Sequence, residues 1–171
     1  MTGGENRSSR REFVTKAGRL ASAVSLTTLI TPARTFATPA MVDYRINSPL
    51  DDAALNNLFA RAWHDHAERE WAAVLAHSLG VVAAFASDQL IGFVNVATDG
   101  GEHAFLLDPT VDVAHRRRGI GTQLVRRAAA LARERGCKWL HVDYEPALAP
   151  FYRAAGFRDS LAGVMRLDAT T

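Results

Sequence analysis

The stretch "VDVAHRRRGIGTQL", residues 111–124, places three consecutive arginines before Gly119-Ile120-Gly121 and the start of a helical pattern. Glycine is unfavourable within a helix, so two of them at this point indicate a special requirement. The first backbone N–H groups of a helix have no partner within it, and the helix dipole adds partial positive charge there. Glycines leave these groups open to a bulky anion, and Arg116 and Arg118 add charge beside them. The stretch therefore predicts a turn that binds a pyrophosphate.

The spacing excludes two common phosphate-binding motifs. It is not Gly-x-Gly-x-x-Gly, because position 124 is Leu, and it lacks the Gly-Lys-Ser/Thr of a P-loop. A bare Gly-x-Gly is a weak signal by itself. From these residues alone, a tight turn with solvated arginines remains the alternative.

The composition indicates one globular domain after a basic leader. The chain has 171 residues, 48% of them hydrophobic, which is enough for a substantial core. Residues 1–40 carry a net charge of +4, with six Lys/Arg and two Asp/Glu, whereas residues 41–171 carry −2, with fourteen and sixteen. A mildly acidic domain argues against a nucleic-acid partner. Cys137 is the single cysteine, which excludes an internal disulfide, and no apolar run predicts a permanent membrane span.

Residues 1–40 differ in kind from the rest and are predicted to lie outside the folded domain at 41–171. Ser9-Arg10-Arg11-Glu12-Phe13 resembles the bacterial twin-arginine export motif, and the weakly hydrophobic "LASAVSLTTLI" follows it. Small residues then allow cleavage after Ala37 or Ala40. The alternatives are a disordered tail, or upstream DNA translated from a wrong start, with Met41 as the true start.

Hydrophobic periodicity and turn residues predict a β-α-α-β-β-β-α-β-α-β order after residue 40. Ser48 and Pro49 are predicted to cap the first helix, and Asp88-Gln89 to join a hairpin. Gly136 and Gly156 are predicted to stop the last two helices. The predicted elements are a strand at 42–47, helices at about 49–65 and 68–78, strands at 80–87, 90–98 and 103–113, a helix at 119–135, a buried strand at 138–144, a helix at 146–155 and a last strand at 163–167.

Two separated motifs resemble those of the GNAT superfamily of N-acetyltransferases. Arg116-x-x-Gly119-x-Gly121 matches its Arg/Gln-x-x-Gly-x-Gly/Ala signature, and "FYRAAGF" at 151–157 resembles its Phe-Tyr-x-x-x-Gly-Phe. The resemblance covers residues 42–168, with Val113 where many relatives have Pro. It implies an α/β fold with a mixed, mostly antiparallel sheet, flanking helices, and central strands that splay apart.

The resemblance also implies acetyl-CoA as the co-substrate, held by the fourth strand and the turn after it. In this family an amine attacks the thioester directly, and backbone N–H groups of the fourth strand stabilise the oxyanion. Tyr152 matches the tyrosine that protonates the leaving thiolate. Its alternative role is an aromatic that closes the core beside Phe151. The implied cofactor-binding residues are Val111, Asp112, Val113, Arg116, Arg117, Arg118, Gly119, Ile120, Gly121 and Thr122.

An amine is protonated near neutral pH, so a carboxylate is expected to take its proton, directly or through water. Four carboxylates stand near the predicted splay: Asp108, Asp112, Asp143 and Glu145. Asp143 and Glu145 close the predicted fifth strand and are the preferred catalytic candidates. Either of them has the alternative of capping the helix that opens at Pro146. Asp108 precedes Pro109 and has the alternative of marking a bulge.

Other conspicuous side chains have simpler interpretations. His64 and His66 do not share one helix face, so no metal site is predicted there. Trp63 and Trp71 are expected in the core or in the wall of an acceptor pocket. Cys137 is expected to be packed rather than to act as a nucleophile.

The sequence thus indicates an acetyl-CoA-dependent N-acetyltransferase with a small-molecule or peptide amine as acceptor, acting as a monomer or homodimer. Two other classes stay open: a non-catalytic acyl-CoA-binding sensor, and an exported binding protein that uses the same scaffold. Acetyl-CoA is a cytosolic compound, so the working protein is expected in the cytoplasm. Export by the twin-arginine pathway is the alternative.

Overall fold

Five strands form one sheet in the order β1-β2-β3-β4-β5 within residues 41–167, the part of the chain that this computed structural model describes. The first four strands pair antiparallel and β5 pairs parallel with β4. The predicted mixed, mostly antiparallel fold is therefore confirmed. The predicted export leader and the alternative start at Met41 concern residues 1–40, which lie outside the described residues. The strands are β1 (Val42–Ile46), β2 (Ser78–Ala86), β3 (Gln89–Thr98), β4 (His103–Val111) and β5 (Trp139–His141).

Helices cover both faces of the sheet. On one face, α3 (Ile120–Glu134) packs against the sheet through Leu124, Ala128 and Leu131. On the other face, α1 (Asp52–Ala62) and the segment after it pack against the sheet through Leu58 and Trp71. Within the described residues, no helix has the length and hydropathy needed to cross a membrane. The helices are α1 (Asp52–Ala62), α2 (Ala72–Ala76), α3 (Ile120–Glu134) and α4 (Ala149–Ala154), with single 3₁₀ turns at Val113–His115 and Pro146–Leu148.

The first two helices begin later than predicted. Asp51, not Ser48, caps α1: its carboxylate accepts a hydrogen bond from the Ala54 N–H at 2.7 Å. A carboxylate in this position is also stabilised by the positive end of the helix dipole. The helix predicted over 68–78 is reduced to α2, because Trp71 is drawn into the core and β2 already begins at Ser78.

The parallel pairing of β4 with β5 ends early. It covers three residue pairs, the last of which is Phe105 with His141, while β4 continues to Val111. A bulge bends β4 beyond that point: Phe93 lies opposite Thr110, but Asn95 lies opposite Leu107. The predicted separation of the central strands is confirmed.

The end of the chain departs from the prediction. The strand predicted at 138–144 shortens to β5, in which both Trp139 and His141 are exposed rather than buried. The strand predicted at 163–167 is absent from the structure as described up to residue 167. Val164 and Met165 are each 81% exposed, so the apolar side chains that suggested a strand bury almost nothing.

Candidate active site

A cleft of about 730 Å³ opens beyond the point where β4 and β5 separate. The end of α1 forms one wall, and the segment from Glu145 to α4 forms the other. The turn between β4 and α3 closes one end. The residues that line it include Trp63, His64, Asp65, Thr110, Val111, His115, Arg116, Arg117, Gly119, Ile120, Gly121, Thr122, Glu145, Leu148, Phe151 and Tyr152.

The turn before α3 has the geometry of an anion site. Gly119 is the N-terminal cap of α3 and has a φ of 79°, in the left-handed region that favours glycine. The first backbone hydrogen bond of the helix runs from the Gln123 N–H to the Gly119 carbonyl, at 3.1 Å. The N–H groups of residues 120–122 come before that bond and therefore have no acceptor within the helix. All three of these residues line the cleft.

The two glycines of the motif answer different requirements. A Cβ atom on Gly119 would meet nothing within 4 Å among the described residues, so its role is the left-handed conformation. A Cβ atom on Gly121 would lie 3.4 Å from Cζ of Phe151 and 3.7 Å from Cγ2 of Val111. A Cβ atom at position 121 would thus be in ordinary van der Waals contact, and a larger side chain would meet α4 and β4. The sequence interpretation assigned both glycines one purpose, the approach of an anion.

The three consecutive arginines also differ. Arg116 donates from Nε to the Val111 carbonyl at 3.0 Å and from Nη2 to the Ala62 carbonyl at 2.9 Å. Arg117 is exposed, lines the cleft and has a φ of 63°. Arg118 is exposed and lies outside the cleft lining. Arg116 and Arg117 both line the cleft. Of these two, Arg117 makes no guanidinium hydrogen bond to another residue among 41–167.

Asp112 is buried at the end of β4, only 3% exposed, and its carboxylate has several partners. It accepts from Arg61 Nε at 2.5 Å and from the Ala114 N–H at 2.9 Å, and its own N–H donates to the Ile91 carbonyl. Burial raises the pKa of this carboxyl, but the hydrogen bonds from Arg61 and Ala114 outweigh it and hold the pKa below its usual value. Val111 is half-buried and Val113 is exposed.

Tyr152 lines the cleft although it is only 3% exposed. Its ring stacks on Tyr144, with centroids 4.5 Å apart, and meets Phe151 edge-on. Burial raises the pKa of the Tyr152 hydroxyl, and the negative charge of Asp143 raises it further. The side chain is thus both a core aromatic and a protonated hydroxyl at the cleft. The two interpretations offered by the sequence are compatible.

Glu145 and Asp143 occupy different positions. Glu145 lines the first cleft and also a second cleft of about 880 Å³, on the side of His141 and Phe105. Asp143 lines only the second cleft, and both carboxylates are exposed. Glu145 occupies the N-terminal cap position of the 3₁₀ turn at Pro146–Leu148, as the alternative expected, but its side chain makes no capping hydrogen bond within the described part of the chain.

The remaining candidates divide between core and surface. Trp71 is fully buried, whereas Trp63 is 49% exposed and its Nε1 donates to Thr110 Oγ1 at 3.2 Å. The bulge interpretation of Asp108 is confirmed by its φ of 53° within the irregular part of β4. Cys137 is half-buried against the core. Among residues 41–167, no group of three His, Cys, Asp or Glu side chains is placed to hold a metal ion.

Sequence reasoning missed the partners of these residues. Arg61 meets Asp112 from 51 positions away, and the Ala62 carbonyl meets Arg116 from 54 positions away. An arginine near the end of an amphipathic helix is ordinary on a solvent-facing surface, so no local pattern marked Arg61. Only the packing of α1 against the end of β4 brings these groups together.

The model of the acetyltransferase (GNAT) family matches residues 48–157, more than half of the chain, and its span contains the turn, Glu145 and Tyr152. The chain belongs to the GNAT family. Its sequence is similar to a probable glucosamine 6-phosphate N-acetyltransferase of Oryza sativa subsp. japonica, with 40% identity over 58 residues. A second such protein from the same plant is 44% identical over 50 residues. These matches cover 34% and 29% of this chain, and about a third of the length of each relative.

Solved GNAT structures share the fold. A GNAT family protein of Streptococcus pneumoniae superposes with a TM-score of 0.63 at 21% identity, covering 75% of this chain and 100% of that one. An aminoglycoside N-acetyltransferase in complex with CoA gives a TM-score of 0.59 at 19% identity, covering 76% and 96%. At these identities the likeness concerns the fold, and the fold of this chain is thus one that holds CoA in at least one other protein.

Proposed function

We propose that this GNAT chain transfers the acetyl group of acetyl-CoA to a primary amine by direct attack. The observation that carries the proposal is the first cleft, which lies at the end of β4 between the end of α1 and the segment from Glu145 to α4. It has the open N-terminus of α3 at one end and the protonated hydroxyl of Tyr152 in its wall. One end suits a pyrophosphate, and the other suits a leaving thiolate.

The turn and β4 would hold the coenzyme. The N–H groups of residues 120–122 would face the pyrophosphate, and Arg117 would add a positive charge beside them. Val111, at the end of β4, and Val113, in the 3₁₀ turn after it, are proposed to contact the pantetheine arm through groups other than their carbonyls, which accept hydrogen bonds from Arg116. Gly119 and Gly121 fit this role, since one supplies the left-handed cap and the other the close packing around it.

Acetyl-CoA supplies the acetyl group as a thioester. The neutral amine attacks the carbonyl carbon, the carbon–sulfur bond breaks, and an amide and free CoA result. Tyr152 donates its proton to the departing sulfur and regains one from solvent in the next cycle. The hydroxyl is protonated through the neutral range at the ordinary tyrosine pKa of about 10, and burial raises its pKa further.

Glu145 is the carboxylate best placed to receive the proton of the amine. It alone of the two preferred candidates lines both clefts, so an amine entering from the second cleft passes it on the way to the first. Asp112 is engaged by Arg61, and Asp108 lies 3.4 Å from the Arg69 guanidinium. Asp143 acts on Tyr152 through its charge.

A small-molecule amine is the proposed acceptor, with amino sugars as the first candidates. The sequence relatives are named for glucosamine 6-phosphate, and the CoA-bound structural neighbour for aminoglycosides. The second cleft offers the carboxylates of Asp143 and Glu145 to a cationic amine. A peptide amino terminus is the second candidate. Because acetyl-CoA is supplied in the cytosol, we also propose that the protein works there.

The test is a thiol-release assay of the purified full chain with acetyl-CoA and a panel of amines. The panel contains free and 6-phosphorylated hexosamines, aminoglycosides, and short peptides with free amino termini. A melting curve with and without acetyl-CoA accompanies it, since a ligand at a hundredfold its Kd adds about 2.7 kcal/mol. A rise in melting temperature with no thiol release from any amine supports the sensor alternative. No rise and no release support the scaffold alternative and contradict the proposal.

A further inference from the structure

Three consecutive residues at the end of α1 each hold a different point of the segment from Thr110 to Arg116. Arg61 pairs with Asp112, the Ala62 carbonyl accepts from Arg116, and the Trp63 indole donates to Thr110. The separations along the chain are 51, 54 and 47 residues. Three contacts in succession form one connection between α1 and residues 112–119, the segment between β4 and α3 that is named the coenzyme turn.

On the turn side, Asp112 and Thr110 are buried, whereas Arg116 is exposed. Asp112 belongs to the few buried polar residues of the described chain, together with Asn95 and Thr110. A buried carboxylate is unfavourable unless it is paired and hydrogen-bonded. One oxygen of Asp112 takes Arg61, and the other caps the 3₁₀ turn through the Ala114 N–H. The same carboxylate therefore holds α1 and shapes the chain just before the arginines.

Arg116 completes the connection from the other side. Its planar guanidinium bridges the Val111 carbonyl, at the end of β4, and the Ala62 carbonyl, at the end of α1. A fork of this kind binds two acceptors at fixed angles, which a lysine ammonium on a flexible stem does not reproduce. The side chain thereby spans the 3₁₀ turn and holds its two ends at a set distance from α1.

We propose that Arg61 and Arg116 are positioning residues that hold the coenzyme turn in its binding conformation, and that they couple the segment after α1 to coenzyme binding. The inference rests on the proposed function for the identity of the ligand. The coupling follows from the geometry, because residues 62–65 form the cleft wall opposite Glu145 and continue directly from Arg61. In this proposal Arg116 binds two protein carbonyls, and Arg117 is the arginine that contacts the pyrophosphate.

The first experiment measures the Kd of CoA by calorimetry, which needs no turnover. Arg116→Lys keeps the charge but cannot bind both carbonyls. Arg61→Lys keeps the charge but cannot make both hydrogen bonds of the guanidinium, from Nε to Asp112 and from Nη2 to the Leu90 carbonyl. Each is expected to raise the Kd about tenfold, the effect of a weakened hydrogen bond to a charged group. The value of kcat at saturating acetyl-CoA should fall less than about threefold. Arg126→Lys, on the exposed face of α3, is the matched control and should change neither.

The second experiment addresses coupling directly, by hydrogen–deuterium exchange at saturating CoA. In the parent, CoA is expected to slow amide exchange in residues 66–71, which follow the cleft wall. In Arg116→Lys, with CoA again saturating, this protection should be lost although the ligand is bound. If Arg61→Lys does not fold, Trp63→Phe replaces it, since it removes the indole N–H and keeps an aromatic ring; it should raise the Kd about threefold.

The outcomes separate the two proposals. A parent that binds CoA but acetylates no amine contradicts the proposed function and leaves the positioning role supported or overturned by the Kd values alone. Folded variants with Kd values within twofold of the parent overturn the positioning role. A lower melting temperature with unchanged Kd and unchanged protection also overturns it, because that is the result of a purely structural contact. A parent without affinity for CoA overturns both.

Discussion

The turn between β4 and α3 and the segment at 161–167 form a contrast, since a local sequence pattern predicted a structure for each of them. In the turn, Asp112 and Arg116 each contact residues more than 50 positions away. In residues 161–167, the apolar side chains are exposed, and no strand forms. The turn is held by hydrogen bonds to residues distant in sequence, whereas residues 161–167 have an apolar pattern without a surface to bury it. A strand pattern describes a pleated, half-buried surface and so depends on the neighbour that covers it.

The largest expected effect lies at Tyr152, where the well-packed region meets the proposed chemistry. Tyr152→Phe removes the proton donor and keeps the ring stacked on Tyr144. We expect kcat to fall by at least about a hundredfold, with the KM for acetyl-CoA nearly unchanged, because a lost acid acts on the transition state. Steady-state kinetics with a saturating amine measures both constants.

Tyr144→Phe is the matched control for that experiment. It also removes one hydroxyl from the stacked pair, but this hydroxyl donates to Asp159 in the second cleft, so the KM of the amine should change rather than kcat at saturating amine. Its kcat should stay within about threefold of the parent. Equal losses in the two variants would mean that ring packing, not proton donation, explains the effect, and Tyr152 would then be a core residue only.

The next largest effect is expected at Gly121. The contacts around it leave room for one carbon atom but not for a branched side chain, because Phe151 and Val111 are already at van der Waals distance. Gly121→Val should push α4 from α3 and raise the Kd of CoA about a hundredfold, or about 2.7 kcal/mol. Gly121→Ala, the control, should bind within about fivefold of the parent. CoA affinity retained by a folded Val variant would contradict the close packing.

The same contrast explains how much of the molecule was predictable from sequence. The turn before α3 and the helix itself were predicted because their signals are local: two glycines after three arginines, a run of apolar residues on one helix face, and a stop at Gly136. The bulge at Asp108 was also local, since proline cannot donate to a ladder. The motif at 151–157 predicted Tyr152 as a site residue. The neighbouring Phe151 also indicated that the Tyr152 ring could be part of the core.

The predictions that were wrong had two kinds of cause. The cap of α1 was a choice between two local signals, and Asp51 rather than Ser48 accepts the hydrogen bond from the Ala54 N–H. The strand at 163–167 required an edge to pair with, but β5 is only three residues long. The pairing of Arg61 with Asp112 left no trace in either local sequence. Periodicity shows which face of an element is apolar, and it does not show which element covers that face.

A smaller effect, on stability, is expected at Gly119, whose conformation is a local property of the turn. The φ of 79° is unfavourable for a residue with a Cβ atom, although nothing nearby would contact that atom. Gly119→Ala should therefore lower the free energy of unfolding by about 1–2 kcal/mol through conformation alone. Gly119→Asn should lose less, because Asn enters the left-handed region more readily. Urea denaturation measures both, and equal stability of Ala and Gly would show that the turn changes conformation in solution.

The pH dependence of kcat offers a finer test. Burial is the main cause of the raised Tyr152 pKa, and Asp143 adds to it. The alkaline fall in kcat should thus lie above the ordinary tyrosine value of about 10. Asp143→Asn removes a negative charge that opposes ionisation, so the fall should move to lower pH while burial keeps it above that value. A fall that moves to higher pH, or does not move, would show that Asp143 does not face Tyr152.

The smallest effect is expected at the end of the chain, where the contrast is sharpest. Val164→Ser alters a side chain that is 81% exposed, and it should change the free energy of unfolding by less than about 0.5 kcal/mol. Val94→Ser makes the same replacement in the fully buried centre of β3, where lost packing and a buried hydroxyl should remove about 3 kcal/mol. Urea denaturation of the two variants compares them directly. A loss above about 1 kcal/mol at Val164 would mean that the segment is covered in solution, and the strand predicted there from its apolar pattern would regain its support.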